Sequence, residues 1–313
     1  MKKNLKVVSV VLAVTVLIMC VSLAAGVSAR KPITVGISMN TLNNPFFVTV
    51  VEGARAMADE LGVKLIVTDA QNRPGKEITN VENLIQQKVD VLILDPSDSN
   101  AIIPSVLNAN DANIPVLTID RKANDGDVIT HIGFDAIRSG RIAGQFLVDS
   151  LNGKGKIVEI MGIMGTSVAQ DRSKGFNQIM DKNPGMKVIA KQTANFDRGQ
   201  AMSVMENILQ AQPEIDGIYA ANDEMALGVL AAIEAAGRLD EITLIGCDAI
   251  DDSMEAIRKR KMEATIAEPP YFLGKNAVKT AVAIYNGKKV EDEVILENQL
   301  VTKENIDIIK TRD

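Results

Sequence analysis

Short apolar segments of this chain repeatedly end at a polar or aromatic residue. Val91–Leu94, for example, is followed directly by Asp95. The other residues of this kind are Asn44, Phe46 and Phe47 after 33–39, Asp120 and Arg121 after 116–119, Asn222 after 218–221, Asp248 after 243–246 and Glu268 after 264–267. Ligands of open α/β sheets bind beyond the carboxyl ends of the strands. The pattern therefore predicts one polar pocket built by two sheets.

The apolar segments alternate with segments of helical periodicity. Strands rich in Val, Ile and Leu without polar alternation are typical of a parallel sheet that is covered on both faces. The predicted strands are 33–39, 63–69, 91–94, 116–119, 128–133, 156–161, 187–193, 216–221, 242–246, 263–267 and one near 293–301. The predicted helices are 46–61, 76–88, 99–112, 136–151, 168–182, 198–211, 223–236, 251–260 and 271–286, with Ser97 or Ser99 capping the third. This predicts two similar doubly wound parallel-sheet domains, as after a duplication.

Composition and charge exclude several classes of protein. The length of 313 residues and the hydrophobic fraction of 46% fit about two globular domains. The net charge is −6 and the basic residues are interspersed with acidic ones, so no surface for nucleic acid is expected. Aromatic residues make up only 3% of the chain, which makes the adjacent pair Phe46 and Phe47 a local exception. We expect one of these rings to pack in the core and the other to line the pocket.

The first 29 residues have the features of an export signal. Three lysines precede an apolar segment at about residues 7–24, and Val-Ser-Ala at 27–29 offers a cleavage site. Two alternatives remain open, an uncleaved membrane anchor and a lipoprotein site at Cys20, although Met19 stands where such a site prefers a small residue. In each case the remainder of the protein is expected outside the cytoplasm.

No catalytic or metal-binding motif accompanies the candidate pocket. Cys247 is the only cysteine left after cleavage, so no intrachain disulfide is expected, and we interpret it as a buried thiol. His131 is the only histidine and is interpreted as structural. Neither a Gly-x-Gly-x-x-Gly motif, a P-loop nor a Gly-x-Ser-x-Gly motif is present. We therefore expect binding without catalysis, cofactor or metal.

The residues proposed for the pocket carry complementary hydrogen-bonding groups. Asp120 and Arg121 combine an acceptor with a planar donor, and Arg172 lies in the matching turn of the second half. Asn222 and Asp248 complete the set, together with Asp223, which is also a plausible helix N-cap. Hydrogen bonds to charged groups contribute about 1.5–3 kcal/mol each, so several of them hold a small ligand tightly.

Six motifs in the chain resemble the ribose/galactose class of periplasmic sugar-binding proteins, and within it the ribose-binding proteins of bacterial ABC importers. The resemblance covers nearly all of the chain after the signal segment. The motifs are TLNNPFF at 41–47, IDR at 119–121, GTSVAQDR at 165–172, NFDR at 195–198, NDEMALG at 222–228 and ATIA at 264–267.

The resemblance implies a two-domain clamp that closes on one monosaccharide, with chain crossings near 134, 268 and 297. It implies an N-terminal lobe of residues 31–134 and 269–297 and a C-terminal lobe of residues 135–268 and 298–313. The implied sugar contacts are Asn44, Phe46, Phe47, Asp120, Arg121, Arg172, Phe196, Asn222 and Asp248. The implied partners are a membrane permease with its ATPase and, in some members, a chemoreceptor, and the protein is expected to be a monomer.

Two positions depart from the pattern of ribose binders. Asp95 stands where an amide is usual, and Glu268 stands where glutamine is usual. An ionised carboxylate only accepts hydrogen bonds, whereas an amide also donates them. We therefore include both residues in the predicted site and leave the ligand open among ribose, another pentose, a hexose and a sugar alcohol. In the alternative interpretation, Asp95 turns away and caps the next helix.

Two other functions compete with solute binding. The effector-binding core of a sugar-responsive transcription regulator has the same architecture, but a helix-turn-helix would be expected where this chain has its apolar segment. A secreted carbohydrate-processing enzyme would show turnover of a sugar.

Overall fold

The computed structural model describes residues 32–311, and those from Ile33 onward lie in one compact unit. The predicted signal segment and Cys20 lie outside the described residues. Twelve strands are described, β1–β12 in chain order: Thr34–Met39, Lys64–Asp69, Val91–Leu94, Val116–Ile119, Thr130–Phe134, Gly155–Met161, Met186–Thr193, Gly217–Ala220, Thr243–Ile245, Ala264–Ala267, Glu293–Leu296 and Gln299–Thr302. Nine α-helices are described, α1–α9: Pro45–Leu61, Pro74–Gln86, Ile103–Asp111, Ala136–Ser150, Ser167–Met180, Arg198–Ala211, Asp223–Ala235, Asp251–Arg258 and Pro270–Tyr285.

The strands form two six-stranded sheets of the same topology. The first sheet has the order β11-β5-β4-β3-β1-β2, and the second has the order β12-β10-β9-β8-β6-β7. Neighbouring strands are parallel, except that β12 runs antiparallel to β10. Strands β1, β3 and β4 are buried along their whole length, as expected for strands covered on both faces. The predicted class of two similar doubly wound domains is thereby confirmed.

The chain passes between the sheets three times. After Phe134 it leaves the first sheet and continues through α4 into the second. After Ala267 it returns through α9, which packs against α1. After Leu296 it reaches β12 of the second sheet, where Asn298 Nδ2 donates to Asp135 O at 2.9 Å and to Ser139 Oγ at 2.7 Å.

The helix that leads into the candidate site is held by a close helix–helix contact. A Cβ atom at Gly140 on α4 would lie only 2.0 Å from the carbonyl oxygen of Arg172 on α5. Thr166 caps α5, because its Oγ1 accepts from Ala169 N at 3.3 Å. Glycine at position 140 therefore lets α4 brace the turn of α5 that carries Arg172.

Two details of the sequence-based prediction are wrong. The single strand near 293–301 is two strands in different sheets, because the chain crosses between them at Asn298. The helix predicted at 99–112 begins only at Ile103 and has no side-chain cap. Asp98 instead organises the preceding turn, and its Oδ1 accepts from the backbone N–H groups of residues 100 and 101 at 2.9 and 2.8 Å.

His131 and Cys247 are both buried. The Nδ1 atom of His131 lies 3.0 Å from Thr118 Oγ1, and burial, followed by the charge of Lys122, lowers the pKa of the imidazole to about 4. Burial raises the pKa of the Cys247 thiol well above its usual value, so the thiol is protonated at neutral pH. Within residues 32–311, no helix combines the length and the apolar character needed to cross a bilayer.

Candidate functional site

A cavity lies between the two sheets, at the carboxyl ends of their strands. The space between its lining atoms is about 270 Å³, including the part that is open to solvent. The ten lining residues are Asn44, Phe46, Phe47, Asp120, Arg121, Val168, Arg172, Phe196, Asn222 and Asp248. All except Val168 were among the predicted site residues. Val168 is an apolar residue in the first turn of α5, where nothing in the pattern indicated a role in the site.

Two phenylalanines on the first turn of α1 form one wall of the cavity. The rings of Phe46 and Phe47 meet edge to face at 5.1 Å and 85°, and both line the cavity although both are almost fully buried. Asn44 sets their position by capping the helix, because its Oδ1 accepts from Phe46 N at 2.9 Å. We expected one ring to pack in the core and the other to line the pocket. In the structure, each of the two rings packs in the core and also lines the cavity.

Phe196 contributes an aromatic ring from the second sheet. Its backbone has a φ of 59°, and Asn195 before it has a φ of 54°. This left-handed conformation is uncommon for a bulky residue and costs on the order of 1–3 kcal/mol at such a position. The ring lies on Gly162, where a Cβ atom would be 2.0 Å from Phe196 Cζ. The loop therefore holds the ring in one position at the edge of the cavity.

Arg121 lies between aromatic rings contributed by both sheets. Its guanidinium carbon is 5.4 Å from the ring centroid of Phe47 and 5.4 Å from that of Phe196, within the range of cation–π attraction. Its Nη1 donates to Pro96 O at 3.2 Å, and its Nε is 3.6 Å from Asp120 Oδ2. Burial raises the pKa of Asp120, while the charges of Arg121 and Arg172 oppose that shift.

Arg172 is the charged centre on the side of the second sheet. Its Nη2 donates to Glu268 Oε2 at 2.5 Å and to Asp248 Oδ1 at 3.3 Å, and its Nη1 donates to Ala221 O at 2.5 Å. All three side chains are at least 95% buried. Burial raises the pKa of Asp248 well above its usual value, and the guanidinium of Arg172 opposes that shift. Removal of Arg172 would leave two buried carboxylates without a countercharge.

Two side chains that line the cavity carry donors without an acceptor in the part of the chain that the structure describes. The Nε–H groups of Arg121 and Arg172 are buried and have no hydrogen-bond partner among the described residues. Buried polar groups in folded proteins are almost always paired, so two unpaired guanidinium donors at one cavity indicate a ligand rich in acceptors.

Asp95 and Glu268 are not among the lining residues and lie behind the wall of the cavity. Asp95 is fully buried and accepts from Asn40 Nδ2 at 2.6 Å, so it caps no helix. Glu268 joins Arg172 to Ser139 Oγ, from which its Oε1 accepts at 2.5 Å. In this structure both carboxylates contact polar groups of the protein that support the wall.

Asp223 has a role different from the one predicted for it. The N-cap of α7 is Asn222, whose Oδ1 accepts from Met225 N at 3.0 Å. Asp223 points away from the cavity and bonds Ser253 and Thr265, and burial raises its pKa to about 6. It therefore fixes α8 and β10 relative to α7.

Two other places among the described residues have features of a binding site. Cys247, Asp248 and Glu268 have potential metal ligands within 4.8 Å of one another, but Arg172 already forms ion pairs with both carboxylates. A guanidinium at this position opposes the binding of a cation, so we assign no metal here. A larger cavity of about 840 Å³, including space open to solvent, lies at the chain crossings beside Phe134 and Pro269, and Glu297 and Lys310 are the charged residues among its ten lining residues.

The fold and the cavity are those of a two-sheet α/β binding protein, and comparison with known proteins defines the family. Residues 35–289 match the model described as the periplasmic binding protein domain. The chain therefore belongs to the periplasmic binding protein family.

Two curated relatives and one solved structure are similar over most of their length. The chain is 42% identical to the ribose import binding protein of Bacillus subtilis, over 88% of each chain. It is 40% identical to the ribose import binding protein of Escherichia coli, over 92% of this chain and 97% of the relative. An ABC transporter solute-binding protein from Bacillus halodurans with bound myo-inositol is 32% identical, with a TM-score of 0.86, over 90% of this chain and 98% of the other.

These similarities confirm the resemblance drawn from the sequence motifs. They also confirm the class that it implied, a non-catalytic solute-binding protein of sugar ABC importers.

Proposed function

We propose that this protein binds one neutral, polyhydroxylated small molecule, a monosaccharide or a sugar alcohol, and delivers it to an ABC importer. The observation that carries the proposal is the convergence of Arg121, Arg172, Asp120, Asn222 and Asp248 on one small cavity with aromatic walls. Arginine supplies donors only, aspartate supplies acceptors, and asparagine supplies both. Hydroxyl groups both donate and accept, so a polyol satisfies all of these groups at once.

The aromatic walls support a carbohydrate rather than an ion. The faces of Phe46, Phe47 and Phe196 offer apolar surface to the C–H groups of a sugar ring, while the charged groups meet its hydroxyls. The carboxylates and guanidinium groups that line the cavity already balance one another, so a neutral ligand leaves no unpaired charge. Relatives named for ribose and a solved neighbour with bound myo-inositol define the range of ligands to test first.

The predicted contacts become the proposed binding site. Nine residues contact the ligand: Asn44, Phe46, Phe47, Asp120, Arg121, Arg172, Phe196, Asn222 and Asp248. Glu268 acts on the ligand through Arg172, to which it is bonded, and Asp95 acts through the polar groups that support the first wall. The carboxylates at these two positions leave the ligand open among ribose, another pentose, a hexose and a sugar alcohol.

Capture takes place by closure of two lobes. The N-terminal lobe contains residues 31–134 and 269–297, and the C-terminal lobe contains residues 135–268 and 298–313. The three crossings form the hinge, and the ligand favours closure through contacts with both lobes. The closed monomer docks on a membrane permease driven by its ATPase and, as a further partner, on a chemoreceptor. The first 29 residues direct export, and acylation of Cys20 is the alternative to cleavage after Ala29.

Calorimetric titration tests the proposed function. The purified protein is titrated with D-ribose, other pentoses, hexoses, xylitol and myo-inositol, and one of them is expected to bind tightly with a stoichiometry of one. Absence of binding across the panel would refute the proposal. Asp95→Asn and Glu268→Gln are titrated in parallel, and tight ribose binding that neither substitution changes would exclude a role for these carboxylates in specificity. A sugar retained through purification and seen in a crystal would identify the ligand directly.

A further inference from the structure

Two loops of the N-terminal lobe contact one turn of the C-terminal lobe directly beside the cavity. Ser99 N, in the loop after β3, donates to Gly165 O at 3.0 Å, and Ser99 Oγ accepts from Ser167 N at 3.1 Å. Ser167 Oγ in turn accepts from Lys122 N, in the loop after β4, at 3.0 Å. We call Ser99, Lys122, Gly165 and Ser167 the interlobe latch. Its three hydrogen bonds all cross from one lobe to the other.

The latch residues do not line the cavity. The loop of Ser99 and the turn that contains Gly165 are each held by hydrogen bonds within their own lobe. Ser99 is almost fully buried, and its carbonyl oxygen accepts from Asn124 N at 2.9 Å. On the opposite side, Thr166 Oγ1 donates to Ile163 O at 2.8 Å, which fixes the turn between Gly165 and Ser167. Little loop ordering is therefore needed when the two surfaces meet.

Gly165 permits a close approach that a side chain at this position would obstruct. A Cβ atom at this position would lie 2.1 Å from Asp98 Oδ2 of the opposite lobe. Asp98 is held in place, because its Oδ1 caps the turn at residues 100 and 101. The φ of Gly165 is not in the left-handed region, so its backbone would accept alanine. The need for glycine arises from the contact between the lobes and exists only in the closed form.

We propose that the interlobe latch determines the ligand affinity of this protein without touching the ligand, by populating the closed form before the ligand arrives. The inference rests on the proposed function, in which the lobes open and close. When only a fraction of the protein is competent to bind, the apparent dissociation constant rises in inverse proportion to that fraction. A change in the latch therefore alters the affinity for every ligand by the same factor and leaves the ratio between two ligands unchanged.

The first test removes the two latch hydroxyls. Ser99→Ala and Ser167→Ala each delete one acceptor, and each is expected to weaken binding by about two- to tenfold, the worth of one hydrogen bond. Ser203→Ala is the matched control, since Ser203 is exposed on α6, and wild-type affinity is expected for it. Affinities are measured by calorimetry with D-ribose and with a second ligand that binds the wild type.

The second test uses the contact at Gly165. Gly165→Ala is expected to weaken the binding of all ligands more than either serine variant does. The thermal midpoint of the ligand-free variant is expected to stay within about 2 °C of wild type, as is usual for a substitution without a folding defect. Asp98→Ser in the same chain removes the obstructing Oδ2 atom, keeps a hydroxyl oxygen that accepts from the N–H groups of residues 100 and 101, and is expected to restore most of the affinity. Failure of this restoration would show that the effect does not come from the contact between the lobes.

Small-angle X-ray scattering without ligand separates this inference from the proposed function. The radius of gyration of Gly165→Ala is expected to exceed that of the wild type, and this readout requires no sugar. Equal radii, unchanged affinities in all latch variants, or a different factor for each ligand would overturn the inference. If no panel sugar binds the wild type, the proposed function fails, while the scattering result still decides whether the latch holds the lobes together.

Discussion

Replacement of Arg172 by alanine is expected to impair both stability and binding. The guanidinium donates to two carboxylates and to the backbone, and the side chain is 3% exposed. Breaking a buried ion pair by removing one partner typically costs 3–5 kcal/mol, because an uncompensated charge stays behind. We expect the free energy of unfolding to fall by about this amount at pH 8. The affinity for the ligand is expected to fall at least about a hundredfold, because one or two charge-assisted hydrogen bonds to the ligand are lost.

The pH dependence of this loss follows from the carboxylates that remain. Burial already raises the pKa of Asp248 although Arg172 opposes the shift, so the pKa rises further when the arginine is removed. A carboxyl group whose pKa is higher in the folded than in the unfolded state contributes stability at low pH, and that contribution is lost as the pH rises through the folded pKa. Urea denaturation of ligand-free Arg172→Ala should therefore show a smaller loss at pH 5 than at pH 8.

Arg198→Ala provides the control. Arg198 also pairs with two carboxylates, Glu224 and Asp252, but its side chain is 42% exposed. Solvent-exposed ion pairs contribute about 0–1 kcal/mol, so this variant should retain nearly all of its stability and affinity. If Arg172→Ala behaved like Arg198→Ala in both urea denaturation and calorimetry, the assignment of Arg172 to the site would be wrong.

Three further predictions follow from the same structure. Burial raises the pKa of Glu77 to about 7, so its contribution to stability is present below about pH 4.5 and lost as the pH rises through 7. Compared with Glu77→Gln, the wild type should lose up to about 3 kcal/mol between pH 4.5 and pH 8 in urea denaturation, and parallel pH profiles would contradict this. Gly162→Ala should displace the ring of Phe196 and weaken sugar binding at least about tenfold with little change in ligand-free stability, and unchanged calorimetric affinity would disprove the contact. Cys247 should react with a thiol reagent only in urea, and rapid reaction of the native protein would show that the thiol is accessible.

The sheets were predictable because their strands are covered on both faces. Continuous Val, Ile and Leu segments such as Val91–Leu94 carry this signal locally, and the structure buries them completely. The errors arose where local signals are weak or ambiguous. Residues 293–302 contain two short apolar segments, 294–296 and 300–301, separated by polar residues at 297–299. The position of the two sheets decides that these segments belong to different sheets, as β11 and β12.

The candidate site was partly predictable for a related reason. A polar residue directly after a buried strand is visible in the sequence, and Asp120, Asn222 and Asp248 all reach the cavity. Asp95 and Glu268 show the same signal, yet they lie behind the wall. A position directly after a strand determines at which edge of the sheet a side chain lies. The direction in which that side chain points depends on the backbone torsions of its residue, such as the φ of 53° at Asp120 and of 128° at Asp248.

The amino-acid sequence alone determined the fold class, the two-sheet arrangement and the chemical character of the cavity, because these depend on periodicity and on residue types at strand ends. The tertiary structure alone decided which carboxylates face the cavity and which support Arg172 from behind. It also decided how closely the loops of Ser99 and Gly165 approach each other. Contacts of this kind join residues 60 or more positions apart, and their geometry depends on how two separately folded sheets pack, which no local pattern encodes.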